Sequence, residues 1–257
     1  MFSGFTGADP NVPLQRQAGS PCGSGPLRYG NPKRGIKDCG LLVDSDGNSR
    51  ENLSQKIYTD LRLRLIVGDL APDDTLSIRT LAEGFNVSAM PVREALKRLE
   101  FEKALAGSAK RAYRVPPILP EAASNLFFVR ATLEGAAAEL AIDHLSPGDL
   151  KCLREYSNAM DTAWEKGDAR SFLLNNFKFH SMIYRSSGNP DLSELAETLY
   201  ARSGPWLGKA IRELADKEDW ANEHHDILLA IEARDRARVR KLIEEDVNWG
   251  TAFFRRM

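Results

Sequence analysis

Three prolines within five positions, Pro116, Pro117 and Pro120, constrain this chain more than any other feature. Each locks its own φ and lacks an amide hydrogen, so neither a helix nor a central strand is expected to run through the segment. Residues 116–120 therefore read as a stiff connector with folded units on either side. At 257 residues, with 42% hydrophobic content, the chain can give each unit its own core.

On the N-terminal side, residues 1–50 hold nine of the 19 glycines and five of the 13 prolines, with few aliphatics and no sustained period. Such a stretch cannot bury enough apolar surface to offset its chain entropy, so it is expected to be a flexible tail or the product of a start codon assigned too far upstream. The pattern changes at Leu53, where Leu53, Ile57 and Leu61 recur at helical spacing until Gly68 and Pro72. A second helix is expected from Ser77, its cap, to Glu83, with Gly84 as the break. The third opens at Val87 and Ser88, with Ser88 as N-cap and Pro91 in the first turn, where a missing amide hydrogen costs little. Val92, Leu96 and Leu99 form its apolar stripe, and Arg93 and Lys97 share a wet face with Ala89. Residues 105–115 are too short for another helix and read as two brief strands around a basic turn. Residues 51–115 thus describe a winged helix-turn-helix of three helices plus a β-hairpin wing.

Residues 121–257 carry only helical periods, interrupted at Ser146-Pro147-Gly148, Gly167-Asp168, Ser187-Gly188-Asn189-Pro190 and Ser203-Gly204-Pro205. The expectation is an all-helical antiparallel bundle of six or seven helices, which makes the whole chain mainly α. Every apolar run is broken by charge within a few residues, as Arg130 and Glu134 break the one near Phe127, so no membrane span is expected. Cys22, Cys39 and Cys152 have no metal-type spacing, and their odd number argues against a closed disulfide framework, which fits a reducing cytoplasm.

The formal net charge of -1 conceals an uneven distribution. Between Ser88 and Val115, seven basic residues stand against three acidic ones. In a helix-turn-helix the N-terminal turns of the third helix reach base edges, and nearby cations hold phosphates. Arg93 suits the first task, and Met90 can offer apolar contact to a thymine methyl. Arg79, Lys97, Lys110 and Arg111 suit phosphates or the neighbouring groove. The plain alternative for each is an ordinary solvated charge.

The run Asn86-Val87-Ser88-Ala89-Met90-Pro91-Val92-Arg93-Glu94-Ala95-Leu96-Lys97-Arg98-Leu99-Glu100, preceded by Leu81-Ala82, resembles the helix-turn-helix of the GntR family of bacterial regulators. The resemblance covers residues 53–115. It implies double-stranded operator DNA as partner, with Arg93 and often Arg79 on DNA; Ser88, Ala89 and Met90, at the same helix tip, complete the candidate reading surface. Three positions depart from the family pattern. Ala89 stands where an Arg usually follows the capping Ser, Ala104 replaces a Gly after the recognition helix, and Ala112 replaces a Gly at the wing tip.

In the helical part, Asn176 and His180 lie four apart on one face among aromatics and aliphatics. His224 aligns with Leu228 and Ile231, and Asp246 falls on the stripe of Val239, Leu242 and Ile243. Buried polar groups need partners, and two readings are open: imidazole and oxygen ligands converging from three helices on a divalent metal, or a hydrogen-bonded network without an ion.

The segments from Val129 to Glu134, Asn176 to His180, Ser187 to Asn189 and Glu223 to Asp235 resemble the FadR-type ligand-binding domain called FCD, over about residues 121–250. That resemblance implies a metal, zinc or nickel, at Asn176, His180, His224 and Asp246. Asn176 and Asp246 stand where the family has Asp and His, which leaves two expectations open: a weaker metal site, or a purely organic pocket. It also implies a small organic-acid effector held near Arg130 and Asn189, with Arg130 equally able to pair with Glu134 one turn on. Palindromic operators imply a homodimer. A metal-dependent helical enzyme with an accessory DNA-binding domain is the rival reading, and a protein-interaction module the next.

Overall fold

The computed structural model describes residues 50–108, 112–117, 119–214 and 223–254. The N-terminal unit comprises α1 (Arg50–Ile66), β1 (Thr75–Ser77), α2 (Ile78–Phe85), α3 (Ala89–Phe101), β2 (Ala106–Ser108) and β3 (Ala112–Arg114). Its core joins Ile57, Leu61 and Leu65 of α1 to Leu81 and Phe85 of α2, Val92, Leu96 and Leu99 of α3, and Tyr113 of the wing. Each such side chain contributes about 1.5–3 kcal/mol on burial.

The wing has a strand that periodicity did not reveal. β1 pairs antiparallel with β3, setting Leu76 opposite Tyr113, so the sheet runs β1-β3-β2 rather than as a two-stranded hairpin. Three residues are too few to show alternation. Gly84, the expected break, lies inside α2. The helix instead ends at Asn86, whose left-handed backbone (φ 54°) lets its amide donate to Ala82 and Glu83. Past α3 the left-handed position is Lys103 (φ 59°), and Ala104 beside it is buried.

The connector is shorter than expected, because Pro120 is the first residue of α4, the helix position that proline suits best. Six helices follow among the described residues: α4 (Pro120–Ala141), α5 (Pro147–Glu165), α6 (Ala169–Arg185), α7 (Pro190–Leu214), α8 (His224–Glu232) and α9 (Arg236–Phe254). Ser146 opens α5 with a reciprocal capping box to Asp149, and Asp168 opens α6 by accepting from Ser171. Phe127, Leu153, Phe179, Ile183, Ile227, Val239 and Ile243 fill the core.

The expected break at Ser203-Gly204-Pro205 is absent, and α7 runs through Pro205. A proline inside a helix costs about 3 kcal/mol, so packing must hold it. That packing is visible at Gly204, where an added Cβ would lie 2.2 Å from the Leu65 carbonyl oxygen and 2.7 Å from Ile66 Cα. Only glycine admits the end of α1 this close to α7. Ile66, Val67, Tyr200 and Ala201 form a small core there, joining the two units.

Cys152 is disulfide-bonded, which the expectation of a reducing compartment did not anticipate. An odd cysteine count excludes a closed framework but not a single bridge. No described helix is long and apolar enough to cross a membrane.

Candidate functional site

At the tip of α3 the side chains stand clear of the core. Ser88 is the N-cap by backbone, but its hydroxyl makes no cap hydrogen bond. Ala89 and Met90 are exposed, Met90 at 56%, and Lys97 is exposed further along. Arg93 is half-buried rather than fully wet. Its charge opposes the rise that burial imposes on the Tyr113 hydroxyl. Arg79 is exposed and engaged by Glu83 at 2.8 Å, a bond DNA phosphate would have to displace. Lys110 and Arg111 lie outside the described residues.

The second site is inside the bundle. Asn176 and His180 project from α6, His224 from the first turn of α8 and Asp246 from α9, and the structure brings all four together. His180 Nε2 lies 3.1 Å from Asp246 Oδ2 and 3.3 Å from His224 Nε2, and His224 Nε2 lies 3.7 Å from Asp246 Oδ1. Ligand atoms bonded at about 2.1 Å to one tetrahedral zinc are separated by about 3.4 Å, so the His180–His224 separation is of the right size, and Asp246 reaches the two rings through different carboxylate oxygens. His180, His224 and Asp246 are the group among the described residues that could hold a metal ion.

The electrostatics suit a cation. Burial pulls His224 down to about 4, against the opposing pull of Asp246, so its ring is neutral at pH 7, the form that can ligate a cation. Burial alone would raise Asp246, but His224 and the His180 hydrogen bond outweigh it and hold the carboxyl at about 2. One anion and two imidazoles suit a borderline divalent ion. One detail weakens the fit. His180 Nδ1 is buried without a hydrogen-bond partner, where liganded histidines usually donate their second N–H to an acceptor. Asn176 is turned with Nδ2 towards His224 Nε2 at 3.0 Å, while Oδ1 accepts from the Tyr200 hydroxyl at 2.5 Å.

Arg130 is only 3% exposed. Its Nε donates to Glu134 at 2.7 Å and its NH1 to Ser203 Oγ at 2.9 Å, and it lies 4.6 Å from the Tyr200 ring centre. Tyr184 closes this network by donating to Glu134. Burial opposes the guanidinium charge, but Glu134 more than compensates and raises its pKa. The local pair with Glu134 is therefore the one formed.

Asn189 is not brought to Arg130. It is exposed and caps α7 through Leu192 N, on the rim of a cleft of about 680 Å³ lined by Tyr58, Arg62, Arg98, Arg185 and Glu197.

Tyr184, Tyr200 and Ser203 were missed in the sequence. The available signal was that a phenol on an apolar helix stripe needs a partner once buried.

A winged reading head whose first helix packs against an all-helical domain defines a class: DNA-binding transcriptional regulators with a helical C-terminal domain. Comparison with known proteins agrees. Residues 53–115 match the bacterial regulatory proteins of the gntR family, and residues 125–248 match the FCD domain. The HTH-type transcriptional regulator McbR of Escherichia coli K12 is 34% identical over 197 residues, covering 76% of this chain and 89% of McbR. The gluconate operon transcriptional repressor of Bacillus subtilis is 26% identical over 202 residues, covering 77% and 83%. The solved structure of E. coli McbR/YncC superposes with a TM-score of 0.71 at 31% identity, over 79% of this chain and 97% of that one.

The chain belongs to the GntR family of bacterial transcriptional regulators and carries an FCD domain. These relatives are regulators and not enzymes, which sets the metal-dependent enzyme reading aside.

Proposed function

We propose that this regulator binds a two-fold operator as a cytoplasmic homodimer, and that a small organic acid, held with the help of a divalent metal in the helical domain, controls that binding. The observation that carries the reading is the His180–His224–Asp246 group, whose donor atoms all lie within 4.8 Å of one another. Zinc or nickel would be held by those three residues with Asn176 beside them, and when bound would supply open coordination positions for an effector carboxylate.

Arg130 then serves a different end from direct effector binding. Its guanidinium is occupied by Glu134 and Ser203, so it holds α4 to α7 behind the site. Asn189 belongs to the turn that starts α7. A sugar acid or hydroxy acid fits the chelating demand, and the gluconate operon repressor among the relatives points the same way. At the reading head, Ser88, Ala89, Met90 and Arg93 face the bases, with Arg79, Lys97, Lys110 and Arg111 towards phosphate. Exposed Phe128, Val129 and Leu140 on α4 offer an apolar face for the second copy.

Metal analysis of the purified protein tests the reading. One equivalent of zinc or nickel per chain is expected after loading and dialysis, with loss in His180→Ala and His224→Ala. Equal metal in wild type and both variants, or none in any, rejects the metal site. Thermal-shift screening of sugar, hydroxy and dicarboxylic acids against the loaded protein then identifies the effector class.

A further inference from the structure

We infer that Tyr200 is a positioning residue that reports the state of Asn176 to the DNA-binding unit, an inference that rests on the metal reading above. Tyr200 is fully buried and touches both units. Its hydroxyl donates to Asn176 Oδ1 at 2.5 Å, and its ring packs with Ile66 and Val67 at the end of α1. Phe177 meets that ring edge-on at 5.1 Å, and the Arg130 guanidinium lies 4.6 Å from its centre. Ser203, three residues on, links the same turn of α7 to Arg130 and precedes Gly204, where α7 approaches the α1 backbone.

The amide orientation makes this a two-state device. With Oδ1 held by Tyr200, Asn176 presents Nδ2 to His224 Nε2, and an NH2 group cannot ligate a cation. For Asn176 to contribute a fourth ligand the amide must turn over, placing Oδ1 on the ion and Nδ2 against the phenol oxygen. The hydrogen bond at Tyr200 then reverses: the hydroxyl changes from donor to acceptor, and its proton must find another acceptor. Because the ring is packed against Ile66 and Val67, that change is felt where α1 meets α7. Coupling of this kind requires a bistable element that both sites bias, and the amide–phenol pair supplies one.

Hydrogen–deuterium exchange of the full chain, with and without one equivalent of zinc, tests the relay. In wild type, zinc should change exchange of the amides of residues 61–67 roughly tenfold, within the usual range of site-to-site coupling. Tyr200→Phe keeps the ring in place and should still bind zinc through His180, His224 and Asp246, with the zinc-dependent change at α1 reduced to less than about twofold.

Asn176→Asp gives the sharper outcome. A carboxylate offers oxygen in either orientation, so zinc should bind about tenfold or more tighter, the scale of ligand-shell effects, while the response at α1 is lost. A purely structural role for Tyr200 predicts instead that tighter zinc binding strengthens the response. A full α1 response in either variant overturns the relay. So does zinc uptake by wild type without any α1 response. Absence of zinc uptake by wild type overturns the metal reading and the relay with it, and calorimetric zinc titration separates these cases.

Discussion

Replacing Arg130 by methionine separates a structural role for this arginine from a direct effector-binding one. The side chain is almost wholly buried, and its loss strands Glu134, which is 0% exposed and keeps only the Tyr184 hydroxyl as a partner. Removing one partner of a buried ion pair costs about 3–5 kcal/mol, because the remaining charge has no counterion and no water. Ser203 Oγ also loses its donor, and the Tyr200 and Phe127 rings lose a cation at 4.6 and 5.4 Å. For a chain this size, about 2–4 °C of Tm accompanies each kcal/mol, so Arg130→Met should lower the melting point by about 6–20 °C.

The double variant Arg130→Met, Glu134→Leu removes both charges and should recover most of that loss, since apolar replacement of a whole buried pair is often close to neutral. Circular dichroism melts of the single and double variants, with and without the effector acid, provide the comparison. If Arg130→Met melts within about 2 °C of wild type but no longer responds to the acid, Arg130 is a ligand-contacting group and the structural account is refuted.

Gly204→Ala places a methyl 2.2 Å from the Leu65 carbonyl oxygen, against backbone that has little room to yield. Overpacking of this kind costs about 1–3 kcal/mol, and limited proteolysis should show earlier cleavage between α1 and the bundle; an unchanged melt and digest would contradict the close approach. Asp168 caps α6, and Asp168→Ala should cost about 1 kcal/mol in denaturant titrations near pH 7. Burial alone would raise the Asp168 pKa, but hydrogen bonds from the Ser171 amide and hydroxyl outweigh it and bring it below its usual 3.8. A depressed carboxyl stabilises above its unfolded pKa, so the gap between wild type and Asp168→Ala should be full above about pH 5 and close as pH falls below about 4; a gap that persisted at pH 2 would rule out the capping carboxylate. Arg93→Ala should weaken operator binding by about 1–3 kcal/mol by fluorescence anisotropy without lowering Tm, and unchanged specific affinity would remove Arg93 from the reading surface.

Much of this molecule was legible before any coordinates. Ser77 caps a helix as expected, and the interruptions read at Ser146 and Asp168 are where capped helices begin, because a cap is a contact between residues three apart. The polar quartet Asn176, His180, His224 and Asp246 was legible too, as polar side chains on apolar helical faces. The misreadings share one cause. Gly84 and Ser203-Gly204-Pro205 look like helix breaks locally, yet both lie within helices, the second against the backbone at the end of α1. β1 was invisible because three residues gain their structure only from pairing with β3.

What the sequence determined by itself was whatever short-range periodicity and capping encode: the order of helices, the two cores, the winged head and the four polar groups. Tertiary structure alone decided that Arg130 is held by Glu134 and Ser203, that Tyr200 joins Asn176 to α1, and that glycine lets the head dock against α7. Those contacts join residues up to 139 positions apart, as in Leu65 to Gly204, and depend on distances of a few tenths of an ångström. Local periodicity carries no information at that range, because helix faces become neighbours only when the whole core packs.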